Sequence, residues 1–160
     1  MGRIVSREEL QSIRMGLRGQ KKKVVFTNGV FDLIHRGHID YLTRAKALGD
    51  VLIVGVNGDD SVRRIKGSNR PLVPESDRLF IVANLCPVDF ACLFHEDTPF
   101  ELIKQLTPDV LVKGADWKIK DIVGKDVVEA AGGTVAAIDL VPDHSTSSLI
   151  TKILERFSPS

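Results

Sequence analysis

His35 and His38 stand three residues apart, with Gly37 between them. At that spacing two imidazoles share one face of a helical turn, and a pair of ring N–H donors on one face suits the oxygens of a phosphate chain. The residues around the pair predict how it is positioned. Lys23, Val24, Val25 and Phe26 form a short β-rich run, and after Asp32 the apolar spacing turns helical, with Ile39, Leu42, Ala45 and Leu48 on one stripe. A strand that feeds a helix N-terminus makes an anion site, because free backbone N–H groups and the helix dipole point outward there. Gly37, lacking a side chain, is expected to let a phosphate or a base lie against the backbone.

His-x-Gly-His alone is a weak signal. Preceded by Thr27-Asn28-Gly29-Val30-Phe31-Asp32, and arriving in the order strand, turn, helix, it resembles the superfamily of nucleotidyltransferases that move a nucleotide onto a phosphorylated acceptor. The remaining chemistry agrees by exclusion. The chain has no Ser-His-Asp or Cys-His nucleophile set, no Gly-x-x-x-x-Gly-Lys-Ser/Thr loop and no Gly-x-Gly-x-x-Gly fingerprint. Direct in-line attack by a phosphate or hydroxyl oxygen on the α-phosphorus of a nucleoside triphosphate therefore fits better than a covalent intermediate. Such an acceptor needs no strong base, so positioning and charge stabilisation carry the rate. Lys66, in a polar loop, and Arg78, near the start of the next helix, are the cations expected to assist, although Arg78 fits an ordinary surface position equally well. No dense carboxylate cluster is apparent, so no protein metal site is expected and Mg²⁺ would be held through the triphosphate.

The elements that must carry these residues alternate regularly. A capping box at Ser6–Glu9 opens an N-terminal helix within residues 1–20; strands follow at 23–26, 50–56, 88–94, 108–113 and 134–140, with helices between them. Pro74 is expected at the first position of one helix, Thr98 at the N-cap of another, and Ser145 or a neighbour at the N-cap of the last, which carries Leu149, Ile150, Ile153 and Leu154. The pattern predicts an α/β fold: one Rossmann-like, doubly wound domain over residues 1–160 with a five-stranded, mostly parallel sheet. In such sheets ligands sit beyond the carboxyl ends of the strands, at the switch point. The segments 57–60, 113–117 and 143–147 fall there with the histidine turn.

Composition narrows the partners. The chain has 160 residues, 43% hydrophobic and 27% charged, with a formal net charge of +1. That balance gives no footprint for nucleic acid. No apolar run is long enough for a bilayer, and Met1 to Arg14 is unlike a secretory signal, so no membrane partner and a cytoplasmic location are expected. Cys86 and Cys92 lack metal-ligand spacing and read as buried strand thiols; His95 and His144 read as incidental.

Beyond the superfamily motif, residues 27–42 and 52–59, Lys66-Gly67, Arg70-Pro71, Val112 to Trp117 and Ser145 to Ile150 resemble the bacterial heptose-1-phosphate adenylyltransferases. The resemblance covers about residues 22–154. It implies that ATP and D-glycero-D-manno-heptose 1-phosphate give ADP-heptose and pyrophosphate, for lipopolysaccharide or related glycans, with Mg²⁺ accompanying ATP and a homodimeric assembly. Many relatives carry a fused sugar kinase; none is present in this sequence, so the phosphorylated heptose is expected from separate enzymes. The resemblance makes His35, His38 and Lys66 catalytic, and assigns nucleotide contacts to Asn28, Gly29, Val30, Phe31, Gly37, Arg78, Lys113, Gly114, Ser145, Thr146 and Ser147. Asp32, Asp116 and Trp117 are assigned to the acceptor, although Asp116 could cap a turn and Trp117 could simply pack. The alternative is a glycerol-3-phosphate-type cytidylyltransferase using CTP and a polyol phosphate. Those enzymes place an arginine shortly before a Ser-Thr-Thr stretch, where this chain has Leu140 to His144 and then Ser-Thr-Ser. A nucleotide sensor without activity is a third reading, against which both histidines and Lys66 count.

Overall fold

The computed structural model describes residues 1–115, 119–142 and 144–157. The chain runs β1 (Arg3–Ile4), α1 (Arg7–Gly19), β2 (Val24–Gly29), α2 (Arg36–Lys46), β3 (Val51–Asn57), α3 (Asp59–Lys66), α4 (Glu75–Ala83), β4 (Phe90–Phe94), α5 (Phe100–Leu106), β5 (Val110–Gly114), a 3-10 turn (Ile119–Asp121), α6 (Lys125–Ala130), β6 (Thr134–Ile138) and α7 (Thr146–Phe157). The strands form a parallel sheet in the order β1-β4-β3-β2-β5-β6. The sheet has six strands rather than five. The extra one, β1, is two residues long and therefore leaves no periodic signal; it pairs Arg3 with Phe90 and Ile4 with Ala91 at the edge.

The central strands read as unbroken apolar runs because both faces are covered. Alternate side chains separate cleanly to the two sides. Val25, Leu52, Val54, Val110 and Val112 enter one core with Tyr41, Leu42 and Ala45 of α2. Val24, Phe26, Ile53 and Leu111 enter the other with Leu10 of α1 and Leu102, Ile103 and Leu106 of α5. The first helix is thus part of the packed body. Its capping box is present, with Glu9 N donating to Ser6 Oγ and Ser6 N to Glu9 Oε2.

From β2 the chain moves outward through β3 to β4, then returns to the other side of β2 with β5 and β6. The direction of winding reverses between β2 and β5, and a crevice opens at their carboxyl ends. Lys113 of β5 bonds to Asn28 Oδ1 of β2 across that gap.

Several local expectations need correction. Ile39 of α2 is exposed, as is Leu48, which lies beyond the end of that helix, and the buried face of α2 is made by Gly37, Tyr41, Leu42 and Ala45. The stripe is rotated because α2 meets the sheet through Tyr41, whose hydroxyl pairs with Thr27 Oγ1 at 2.7 Å in the interior. Pro74 is the N-cap of α4 rather than its first residue, and Pro99 rather than Thr98 holds that place in α5. Cys92 is buried in β4, where desolvation pushes its thiol up to about 11, but Cys86 is exposed and outside any strand. The apolar residues of α7 are only half-buried at Leu149 and Ile150, and Ile153 and Leu154 are exposed. Periodicity identified that side of the helix without saying whether anything covers it. Among the described residues, no helix is long and apolar enough to cross a membrane.

Candidate functional site

The turn from β2 into α2 is built to hold two imidazoles in one place. His35 is the N-cap of α2, with extended backbone at φ −141° and ψ 171°, and its carbonyl accepts the His38 amide at 3.0 Å. The rings stack with centroids 4.0 Å apart and planes 30° apart. Phe31 steadies the pair from below, its ring 5.4 Å from that of His38. To reach there Phe31 adopts a left-handed backbone, φ 53°, unusual for a bulky side chain and a mark of local strain at a site. Its ring folds back over Gly29, where a Cβ would meet it at 3.0 Å.

Gly37 is needed for a different reason from the one expected. A Cβ there would meet the His35 ring at 3.0 Å and His144 Cβ at 3.2 Å. Imidazole stands against Gly37, which thereby makes room for the stacked pair, and its residue is buried.

Among the described residues, neither Nδ1 of His35 nor Nδ1 of His38 has a hydrogen-bond partner, and both atoms are buried. With the proton on Nε2, each ring would have one N–H donor to offer a ligand. Burial pushes His38 down to about 4, with the neighbouring His35 adding to the effect. His35 is lowered by burial and then by His144. At neutral pH burial therefore holds both rings towards the uncharged form. A polyanion arriving there would meet two donors whose protonated forms it would itself favour.

A cleft of about 420 Å³ opens beside the pair. His38 lines it together with Asn28, Gly29, Val30, Phe31, Lys66, Lys113, Gly114, Ser145, Thr146 and Ser147, all expected on sequence grounds. His35 and Gly37 border an adjoining recess of about 190 Å³, shared with His38, His144 and Thr146. The far wall is the start of α7, where Ser145 caps as expected: Ser148 N donates to Ser145 Oγ at 3.0 Å, and Ser145 N donates to Ser148 Oγ at 3.2 Å. Next to it Thr146 Oγ1 reaches the Leu33 carbonyl at 3.5 Å, joining that helix to the histidine turn. A second chamber of about 320 Å³ shares Asn28, Asn57, Ile65, Lys66 and Lys113 with the cleft and is completed by Asp97, Thr98 and Ile122. Lys66 and Lys113 thus stand between two connected spaces.

Two assignments change. Arg78, expected to meet the nucleotide, is completely buried. Its Nε donates to the Val73 carbonyl at 2.9 Å, Nη1 to the Val30 carbonyl at 2.6 Å and Nη2 to Asp59 Oδ1 at 2.7 Å. It is neither a surface residue nor a ligand contact; it holds the β2–α2 turn against the start of α3. Asp32, expected at the acceptor, does line the cleft, but it is 2% exposed and its carboxylate is engaged within the protein. Arg70 Nε and the amides of Leu72 and Val73 donate to it at 2.6–3.0 Å. Asp116 and Trp117 lie outside the described residues.

Sequence reasoning gave no individual role to Tyr41, Asn57 or Arg70, which line the cleft, and read His144, which neighbours His35, as incidental. Asn57 falls in a segment expected at the crevice, whereas Tyr41 resembles an ordinary helix residue and only the topology brings it here. Arg70 and His144 did carry a signal, since each sits beside a segment already under suspicion.

The comparisons with known proteins agree with this geometry. Residues 26–154 match the Cytidylyltransferase-like family. The bifunctional protein HldE of Trichlorobacter lovleyi is 50% identical over 156 residues, 98% of this chain and 32% of that protein. The protein of the same name from Citrifermentans bemidjiense is 54% identical over 136 residues, covering 85% of this chain and 28% of its own length. The chain thus spans about a third of the curated relatives it matches. Among solved structures, a lipopolysaccharide core biosynthesis protein from Thermoplasma volcanium is 34% identical, with a TM-score of 0.62, covering 75% of this chain and 97% of that one. A pantoate-beta-alanine ligase from Francisella tularensis has a TM-score of 0.63 at 16% identity, covering 100% of this chain and 82% of that one, which is a likeness of fold.

Proposed function

This chain belongs to the cytidylyltransferase-like family and is a nucleotidyltransferase, and from that premise we propose that it transfers AMP from ATP to D-glycero-D-manno-heptose 1-phosphate. One phosphate oxygen of the sugar phosphate attacks the α-phosphorus in line. The bond from that phosphorus to the bridging oxygen of the β-phosphate breaks, and pyrophosphate leaves with the electron pair. The products are ADP-heptose and pyrophosphate, and no enzyme-bound covalent species forms.

The observation that carries this reading is the stacked His35–His38 pair at the mouth of α2, with both Nδ1 atoms buried and unpartnered among the described residues and both rings held towards the neutral form by burial. Their donors would hold phosphate oxygens as negative charge moves towards the leaving group. Lys66 and Lys113, at the junction of the two spaces, would neutralise the phosphates that meet there. The nucleotide would occupy the larger cleft against Ser145 to Ser147, and the sugar the chamber with Asn57, Asp97 and Thr98, whose side chains can pair with hydroxyls. Among the described residues no group of three or more His, Cys, Asp or Glu could hold a metal ion. Mg²⁺ would be held by the triphosphate oxygens, where it would supply further charge neutralisation. The identity of the sugar is supported by the near-50% likeness to proteins named HldE and by the likeness to the lipopolysaccharide core biosynthesis protein of Thermoplasma volcanium. A homodimer acting in the cytoplasm, without membrane or nucleic-acid partners, belongs to the same proposal.

Pyrophosphate release over a grid of ATP and CTP against heptose 1-phosphate and glycerol 3-phosphate tests it. Turnover is expected with ATP and the heptose phosphate. Turnover confined to CTP with glycerol 3-phosphate would replace the proposal with the cytidylyl alternative, and tight nucleotide binding without turnover for any pair would leave a sensor.

A further inference from the structure

Two cations reach the cleft from the last residue of α3 and the segment that follows it, and only Lys66 has so far been given a part. The other is Arg70. Its Nε donates to Asp32 Oδ2 at 2.6 Å, and the Asp32 side chain is wholly buried while that of Arg70 is 17% exposed. Burial alone would raise the Asp32 carboxyl, but the Leu72 and Val73 amides and Arg70 outweigh it and hold it below the usual carboxylate value. The anion that anchors Arg70 is thus permanent at neutral pH.

Nη1 and Nη2 of Arg70 form no hydrogen bond with any described residue. A guanidinium clamped at Nε by a buried carboxylate, on a side chain that lines the cleft, keeps its terminal edge for what enters. It is a planar fork whose orientation is already fixed, so little rotamer freedom remains to be lost on binding. Arg78 shows the contrast: its three nitrogens Nε, Nη1 and Nη2 all serve protein acceptors.

We propose that Arg70 is a phosphate-binding residue of this cleft, with Asp32 as its positioning residue, and that Nη1 and Nη2 grip two oxygens of one phosphate group. The inference rests on the cleft being the phosphate-transfer site. The phosphate is either the departing end of the triphosphate or the phosphate of the acceptor; the chemistry of the grip is the same.

Calorimetric titration of inorganic pyrophosphate with Mg²⁺, and separately of a hexose 1-phosphate, into the wild-type protein, Arg70→Gln and Arg70→Lys tests it without needing turnover. Arg70→Gln is expected to raise Kd about tenfold or more for one probe, with Arg70→Lys in between because it keeps the charge and loses the fork. Loss confined to pyrophosphate assigns the residue to the leaving end, and loss confined to the sugar phosphate assigns it to the acceptor. Wild-type affinity for both probes in a folded Arg70→Gln overturns the proposal, as does a wild-type protein that binds neither. Should Arg70→Gln fail to fold, unchanged affinities in Arg70→Lys overturn it equally. A protein that turns over no substrate pair, yet binds pyrophosphate through Arg70, would instead remove the transferase reading and leave this site standing.

Discussion

Arg70 and Arg78 lie eight residues apart, and each reaches back to an aspartate at the carboxyl end of the sheet. In one pair the aspartate is the buried member: Asp32 at 0% side-chain exposure, with Arg70 at 17%. In the other it is the arginine: Arg78 at 0%, with Asp59 at 23%. That reversal separates a strut from a grip. A fully buried guanidinium with every kind of nitrogen engaged can only fix backbone, whereas one tied at a single nitrogen can still receive a ligand. Charge and loop position, which made both residues candidates, do not distinguish them.

The comparison can be broken most forcefully at the strut. Arg78→Met removes three hydrogen bonds and leaves Asp59 and two carbonyls without their partner. A loss of about 3–5 kcal/mol is expected, at the low end because Asp59 retains some water contact. Arg70→Gln should cost about 1 kcal/mol, since the glutamine amide can still donate to Asp32. Denaturant midpoints at unchanged slope measure both, and equal losses would erase the distinction. Next in size, His38→Ala should lower kcat by about 10²–10³ with a modest change in KM, the pattern of a group that acts as charge shifts in the transition state. Near-wild-type kcat would remove that role.

A smaller effect concerns acid stability. His38 is lowered to about 4 from an ordinary 6.5, so the unfolded chain binds the proton more readily than the native one. Its contribution is complete above pH 6.5 and is lost as the pH falls through about 4. Replacing His38 with asparagine should flatten stability between those limits, as read from melting curves across the range; an unchanged slope would mean the imidazole is not desolvated.

How much of this was legible beforehand follows from what each signal encodes. The alternation of apolar runs and helical stripes gave the α/β sandwich, because both-face burial leaves Val24 to Phe26 and Val51 to Val56 no polar position. The histidine pair and the Ser145 cap were readable because backbone geometry fixes short-range spacing. Arg78 was misread, and Gly37 and Asp32 were read only in part, for a common reason. Their roles depend on what lies against them from distant parts of the chain: His144 beside Gly37, and Val30 and Asp59 on Arg78. Local residue type announces a donor or a gap, but not who fills it. β1 escaped because two residues cannot show a period.

The central claim is that the stacked imidazoles receive a triphosphate, and ring-nitrogen NMR of ¹⁵N-histidine-labelled protein reads it directly. Titrated alone, His38 should change protonation near pH 4. With saturating ATP and Mg²⁺ the nearby phosphates should carry that midpoint upward by about one pH unit or more, with His35 moving in the same direction. Midpoints for both histidines that stay put while ATP demonstrably binds would contradict the account.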